Sequence, residues 1–141
     1  MADEAVNVTL LGNQGDPVEV IVVTGTAIPK NTLMQLSSSP KTCTATSGDG
    51  QIFMGILAEE KTATDGKTKV AVITHCLADL TTGAAESMVL GGTVKTGAVA
   101  NEVTVATTNT VEGTAEVVGT PLETVAGSAT GTVLINVGKR R

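Results

Sequence analysis

The sequence predicts an all-β protein, a compact β-barrel or β-sandwich of about nine short strands, with an extended N-terminal arm and at most one short helix. Val and Thr are abundant, and these β-branched residues favour strands over helices. Gly and Asn recur between the apolar runs, where they supply turns. The turns return roughly every eight to twelve residues, the spacing typical of sandwiches and barrels.

The chain of 141 residues is expected to divide into three parts: an N-terminal arm and hinge (1–16), a single β domain (17–137) and a basic C-terminal tail (138–141). A chain of this length buries roughly two-thirds of the surface that it exposes when unfolded. It can therefore form a core without metal or disulfide staples. The sequence contains no convincing internal repeat and no low-complexity linker, so no second domain is needed.

The N-terminal arm alternates apolar and polar side chains. Val6, Val8 and Leu10 are separated by single polar residues, which is the period of a strand. The Gly- and Asn-rich run that follows Leu11 then breaks the chain with turn residues. Two interpretations stay open: an ordinary first strand of the sheet, or an arm that pairs with the edge of a partner's sheet.

In the body of the chain, short apolar segments alternate with turn signals. Strands are expected over 18–23, 33–36, 42–46, 52–57, 70–77, 102–106, 111–118 and 131–137, with a further short segment at 93–95. The core is expected to centre on 52–57, which includes Phe53.

Turn residues mark the connections between these segments. Asn31 follows Pro29 in a turn and tolerates a positive φ. Asp65-Gly66 is the turn signal of a hairpin. Residues 84–90 are expected to form a turn of helix or a short strand, and 119–125 a turn leading into a short segment.

Composition argues against several classes of function. The formal net charge is −5 and no basic stripe is present, whereas nucleic-acid binding requires Lys and Arg to neutralise phosphates. No run approaches the roughly 20 apolar residues of a membrane helix, and the acidic N-terminus does not resemble a secretory signal. Aromatic platforms for sugars or single-stranded nucleic acids are lacking, because Phe53 is the only aromatic residue.

The residues that carry catalytic chemistry are few. The only histidine, His75, is adjacent to Cys76, and neighbours on a strand point to opposite faces, so they cannot form a catalytic pair. Cys43 and Cys76 are expected to be reduced thiols, as in a protein folded in a cytosol. The adjacent acids Glu59 and Glu60 diverge on a strand and are expected to be solvated. We therefore expect no catalytic residue, no metal ligand set, no cofactor and no small-molecule substrate.

Four segments and their spacing resemble one family. They are residues 27–36 (AIPKNTLMQL), 53–61 (FMGILAEEK) and 65–72 (DGKTKVAV), followed later by 119–124 (GTPLET). In this order they are similar to the capsid cement, or head decoration, proteins of tailed phages, whose patterns are I-x-K-G-T-L-x-x-L, F-x-G-I-x-x-x-E, D-G-x-T-x-I-x-V and G-x-A-L-E. Asn31 stands in place of the usual Gly, which a left-handed turn tolerates. Pro121 replaces another small residue.

The resemblance implies a β-tulip-like structural protein of the virion. It would be made in the host cytoplasm and bind the outer surface of an icosahedral, HK97-like shell. There it would cement neighbouring major capsid protein subunits against the pressure of the packaged DNA, usually as a homotrimer, with no nucleic-acid or membrane partner.

The capsid contact is expected in the N-terminal arm, at Val6, Val8, Leu10 and Leu11, through addition of a strand to a capsid subunit. One alternative is a fibre-base or adhesin-like virion module that binds a host surface. Another is a small enzyme or ligand-binding β-barrel, which would need a pocket with convergent polar groups.

Overall fold

The computed structural model describes residues 9–11, 17–48, 51–106 and 116–137. The described residues contain strands and turns but no helix, which confirms the all-β prediction. The strands are β1 (Thr9–Leu10), β2 (Val18–Ile21), β3 (Leu33–Leu36), β4 (Cys43–Ala45), β5 (Phe53–Leu57), β6 (Lys69–Ile73), β7 (His75–Thr82), β8 (Val94–Thr96), β9 (Glu102–Val105), β10 (Val117–Pro121) and β11 (Thr130–Asn136).

The strands form two sheets that follow one another along the chain, except that β1 belongs to the second sheet. The first has the order β2-β6-β5-β3-β4, and the second has the order β1-β7-β11-β10-β8-β9. In the second sheet β7 also pairs in parallel with β9, at Thr81–Glu102 and Thr82–Val103, which closes β7 to β11 into a five-stranded barrel. In the first sheet a single parallel bridge, Ile21 to Thr42, makes the corresponding approach of β2 to β4.

The two sheets have the same topology. If β2 to β6 are replaced by β7 to β11 in chain order, the strand order of the first sheet becomes that of the barrel. We call residues 18–73 the N-half and residues 75–136 the C-half. The repeat is not visible in the sequence, because it lies in backbone geometry and not in side-chain identity.

Backbone details repeat as well. Two pairs of residues with positive φ lie sixty positions apart. They are Asn31 and Gly91 (67° and 73°), and Lys41 and Asn101 (57° and 63°). An isolated antiparallel bridge ties the first loop of each half to the fourth residue after its fourth strand, Ile28 to Lys61 and Met88 to Val125. The positive φ at Asn31 confirms the turn expected there.

A glycine at the third position of β5 and of β10 lets two backbones approach closely. A β-carbon on Gly55 would collide with the Ile73 carbonyl oxygen, and one on Gly119 with the Leu134 carbonyl oxygen. Gly55 also has a φ of 128°, which L side chains rarely adopt. The sequence had placed 119–121 in a turn, and this was wrong because Gly119 serves close strand packing.

The halves share one apolar core. A cluster of buried side chains combines N-half and C-half residues: Leu33, Phe53, Ile56, Ile73, Cys76, Ala78, Leu80, Met88, Val94, Val103, Val118, Val133 and Ile135. A second cluster lies within the N-half. Phe53 is buried as expected.

Hydrogen bonds also join the two halves. The Asn101 side chain accepts a hydrogen bond from the Leu33 backbone N–H (2.9 Å), and Thr96 Oγ1 accepts one from the Gln51 backbone N–H (3.3 Å).

Two other segments differ from expectation. The predicted strand 70–77 is two strands that meet at Thr74, because the chain passes there from the first sheet to the second. Residues 84–90 form neither a helical turn nor a strand, but a loop held by the Met88 bridge. The predicted hairpin around Asp65-Gly66 is confirmed, with β5 antiparallel to β6. Most of the predicted strand 111–118 lies outside the described residues.

Candidate functional site

The predicted arm is described only at its end, where it pairs with the chain itself. Thr9 and Leu10 are antiparallel to Asp79 and Ala78 on β7, and Leu11 N–H donates to the Leu77 carbonyl (2.8 Å). Leu10 packs against the shared core, whereas Leu11 is 51% exposed. Val6 and Val8 lie outside the described residues. Residues 9–11 thus match the first-strand interpretation, and capsid binding by the preceding residues stays a prediction.

The residues considered for catalysis do not converge. Cys76 is buried in the shared core while His75 is exposed, so the two neighbours point apart. Cys43 is buried in the separate N-half cluster. Burial raises the pKa of both thiols, that of Cys76 to about 11, so neither is an activated thiolate near neutral pH.

Carboxylates and thiols are also dispersed. Over the described ranges, no three His, Cys, Asp or Glu residues are grouped so that they could hold a metal ion.

Glu59 and Glu60 differ in their partners. Glu59 forms an ion pair with Lys67 (3.0 Å), while the Glu60 backbone carbonyl accepts a hydrogen bond from the same ammonium (3.2 Å). In the part of the chain with described coordinates, no helix is long and apolar enough to cross a membrane.

Lys61 is fully buried, which the sequence did not indicate. Its Nζ donates to the carbonyls of Thr26 (2.9 Å) and Thr62 (3.3 Å) and lies 3.7 Å from Asp65 Oδ1. These contacts replace the water that a buried ammonium loses. Lys61 therefore fastens the first loop of the N-half to the turn after β5, and its role is structural.

An exposed apolar patch lies at one end of the C-half. It consists of Val89, Leu90 and Leu122, which are 51%, 64% and 45% exposed. The two turns that carry them are joined by hydrogen bonds, from Gly91 N–H to the Pro121 carbonyl (2.9 Å) and from Leu90 N–H to Thr124 Oγ1 (3.0 Å). We call these three residues the turn patch. Clustered exposed apolar side chains are typical of surfaces that bind other proteins.

The equivalent turns of the N-half lack large exposed apolar side chains. Pro29 and Lys30 occupy the positions of Val89 and Leu90, and Ala58 that of Leu122. Lys30 is exposed, and Glu59 with its Lys67 partner lies next to Ala58. The turn patch is therefore a property of the C-half alone.

A shallow groove of about 280 Å³ lies in the N-half, lined by Glu19, Val20, Ile21, Lys41 and Lys69. Strand β2 supplies Glu19, Val20 and Ile21 to its lining, and Glu19 forms an ion pair with Lys69 of the adjacent strand β6 (3.1 Å). A second shallow groove, with Gly or Ala at half of its lining positions, lies between the 83–86 loop and β9. Both grooves are open to solvent and resemble contact surfaces more than enclosed ligand sites.

Sequence reasoning missed the turn patch. Val89 and Leu90 were assigned to a helical turn or strand, and Leu122 to a turn, with no indication that they lie together. A signal was present, since two consecutive apolar residues immediately before Gly91-Gly92 are unusual in a turn. No protein-family model matches the chain, and no curated protein matches it.

Proposed function

We propose that the chain is a structural virion protein that binds the outer surface of an icosahedral capsid and cements neighbouring major capsid protein subunits. The support from sequence is the order and spacing of the four segments that resemble the phage decoration proteins. The support from structure is the all-β fold and, above all, the turn patch. A cement protein acts through surfaces that exclude water against a neighbour, and the turn patch offers exposed apolar side chains for such a contact.

The energetics suit a protein that binds in several copies. Fully burying one aliphatic side chain contributes about 1.5–3 kcal/mol, and each turn-patch side chain is already about half buried. One patch therefore gives only weak binding. Self-association as a homotrimer would present three patches together, so that the second and third contacts form at high effective concentration. The mass of the protein in solution, measured by sedimentation equilibrium, tests the trimer.

The residues before β1 are the second proposed contact. Val6 and Val8 would add a strand to a capsid subunit while Leu10 and Leu11 remain on β7, so the arm would be anchored at its base. Deletion of residues 2–8 keeps β1 in place and removes only the proposed contact. We expect weaker binding to shells with unchanged thermal stability.

The decisive experiment is co-sedimentation with empty expanded capsids, with whole host cells as the comparison. We expect the protein to sediment with the shells and the variant Leu90→Asp to bind at least about tenfold more weakly. Lys30→Asp, at the equivalent turn of the N-half, is the matched control and should bind normally. Equal binding by Leu90→Asp would remove the turn patch from the contact. Binding to cells but not to shells would overturn the proposal in favour of an adhesin-like module.

A further inference from the structure

The internal repeat shows a strand position in the N-half that no strand of the described residues occupies. In the C-half, β1 lies along β7, with Thr9 opposite Asp79 and Leu10 opposite Ala78. The equivalent residues of β2 are Glu19 and Val18. Among the described residues, β2 pairs with β6 on one side and, on the other, only through the bridge from Ile21 to Thr42. No described strand lies beside Val18 and Glu19 at this outer edge.

The backbone of β2 has hydrogen-bonding groups directed to this edge. Val22 N–H donates to the Thr68 carbonyl on the β6 side (2.9 Å), whereas Ile21 N–H donates to the Lys41 carbonyl on the opposite side (2.9 Å). Backbone groups alternate in direction along an antiparallel strand. The N–H and C=O of Glu19, two residues before Ile21, therefore point away from β6. Unpaired edge groups of this kind are a template for another strand.

The side chains at this edge are incompletely covered. Val18 has the same strand parity as Val20, which is only 5% exposed, yet Val18 is 46% exposed. Its counterpart in the C-half, Ala78, is 0% exposed and lies opposite Leu10 of β1. The contrast indicates that an apolar residue on an added strand would lie opposite Val18 and cover it, as Leu10 lies opposite Ala78 in the C-half.

The charges beside the edge define the chemistry of the missing strand. Lys41 and Lys69 both line the groove along β2, and Lys69 is already paired with Glu19. Lys41 is exposed and forms no ion pair within the described ranges. An incoming strand with a carboxylate near Lys41 would be electrostatically complementary.

We propose that the outer edge of β2 receives an extended strand from a partner protein. The strand would exchange backbone hydrogen bonds with Glu19, place an apolar side chain over Val18 and direct an acidic residue to Lys41. This inference rests on the proposed function for the identity of the partner, an acid-bearing extended segment of the capsid subunit. Acceptance of the strand itself is independent of that identity.

The probe is a synthetic peptide with the sequence of residues 2–11, ADEAVNVTLL. It carries the segment that occupies the equivalent edge of the C-half, together with Asp3 and Glu4. Titration into the isotope-labelled full chain, followed by NMR, should shift the amide signals of Val18, Glu19 and Val20 and those around Lys41. No shift at these positions, or shifts confined to 77–79 on β7, would overturn the proposal.

Variants of the edge separate strand pairing from nonspecific binding. Glu19→Pro removes the outward N–H without removing a bond to β6, and proline is tolerated on edge strands. We expect it to weaken peptide binding at least about tenfold, as a lost template donor would. Glu19→Gln keeps the N–H and should bind normally. If Glu19→Pro fails to fold, Lys41→Glu serves instead and should also weaken binding. Undiminished binding by whichever blocking variant folds would contradict the proposal.

The capsid co-sedimentation assay separates this inference from the proposed function. If Glu19→Pro loses the peptide but sediments with shells as the unmodified chain does, the proposed function stands and the capsid strand is excluded as the partner. If the unmodified chain binds the peptide but not shells, the proposed function and the capsid partner fail while strand acceptance stands. A concentration-dependent oligomer that Glu19→Pro abolishes would assign the edge to a second copy and overturn the partner proposed here.

Discussion

The N-half and the C-half are built on the same strand order and differ in what they present to a neighbour. The C-half is a closed barrel, its β7 edge is covered by β1, and its end turns expose the turn patch. The N-half is joined from β2 to β4 by one bridge, no described strand lies beside its β2 edge at Val18 and Glu19, and its end turns lack large exposed apolar side chains. The comparison teaches that backbone constraints preserve the topology, while side chains at equivalent positions are free to create different surfaces.

The isolated bridge that occurs in both halves carries a charged side chain in one half and an apolar side chain in the other. Lys61 in the N-half and Val125 in the C-half make the same pair of backbone hydrogen bonds, to Ile28 and Met88 respectively, at 2.8–3.0 Å. Lys61 is buried with its ammonium donating to two carbonyls, whereas Val125 packs at the border of the shared core. The backbone bridge is common to both halves, and the side chain adapts to its local surroundings.

The largest effects are expected at the paired glycines. Gly55→Ala and Gly119→Ala each force a β-carbon against a backbone carbonyl that cannot move without disturbing the neighbouring strand. We expect each to lower the free energy of unfolding by about 3 kcal/mol, with an added strain term at Gly55 because of its φ of 128°. Urea denaturation measures the effect.

The matched control for the glycines is Gly48→Ala. A β-carbon there would meet its nearest neighbour, Gln51, at 3.9 Å, and the φ is not in the left-handed region. Its unfolding free energy should change by less than about 0.5 kcal/mol. If Gly55→Ala and Gly119→Ala change the free energy of unfolding as little as Gly48→Ala does, the close approach of the strands is not what maintains the strand order that the two halves share.

A smaller loss is expected from Lys61→Met. The substitution keeps most of the side-chain volume but leaves the carbonyls of Thr26 and Thr62 without their ammonium donor. We expect a destabilisation of about 1–3 kcal/mol, the cost of unsatisfied buried polar groups. The N-half amides of 26–28 and 61–65 should lose hydrogen-exchange protection more than the equivalent C-half amides. Equal loss in both halves would mean that Lys61 does not act locally.

The smallest effect concerns the ion pair of Glu59 and Lys67, both of which are partly exposed. The hydrogen bond from the Lys67 side chain lowers the pKa of Glu59 from its ordinary value of 4.5. A carboxyl whose pKa is lowered by folding stabilises the fold above its ordinary value, and that contribution is lost as the pH falls through the lowered value. Lys67→Met should therefore lower the melting temperature slightly near neutral pH and not in acid.

Glu59→Gln provides the second arm of this experiment. It removes the titrating group, so its difference from the unmodified chain should follow the same pH dependence, and the double variant with Lys67→Met should add little. A loss that persists at acidic pH would show that the two side chains act through packing instead of charge.

Sequence reasoning was accurate where the pattern is local. The alternation and turn residues located β3, β4, β5, β9 and β11 to within one or two residues, together with the hairpin at Asp65-Gly66 and the left-handed turn at Asn31. It failed where a residue's role depends on distant neighbours. Gly119 has the appearance of a turn residue, and only contact with the Leu134 carbonyl shows that it belongs inside a strand.

By itself the sequence determined the all-β class, the burial of Phe53 and the divergence of His75 from Cys76, because β-branched composition and a two-residue period act over a few neighbouring residues. Only the tertiary structure decided that the fold repeats, that Leu10 lies on β7, and that Val89, Leu90 and Leu122 lie on joined turns. Those features depend on which strands pair across long stretches of chain. Pairing is selected by the burial of both faces together, which a one-dimensional pattern does not specify.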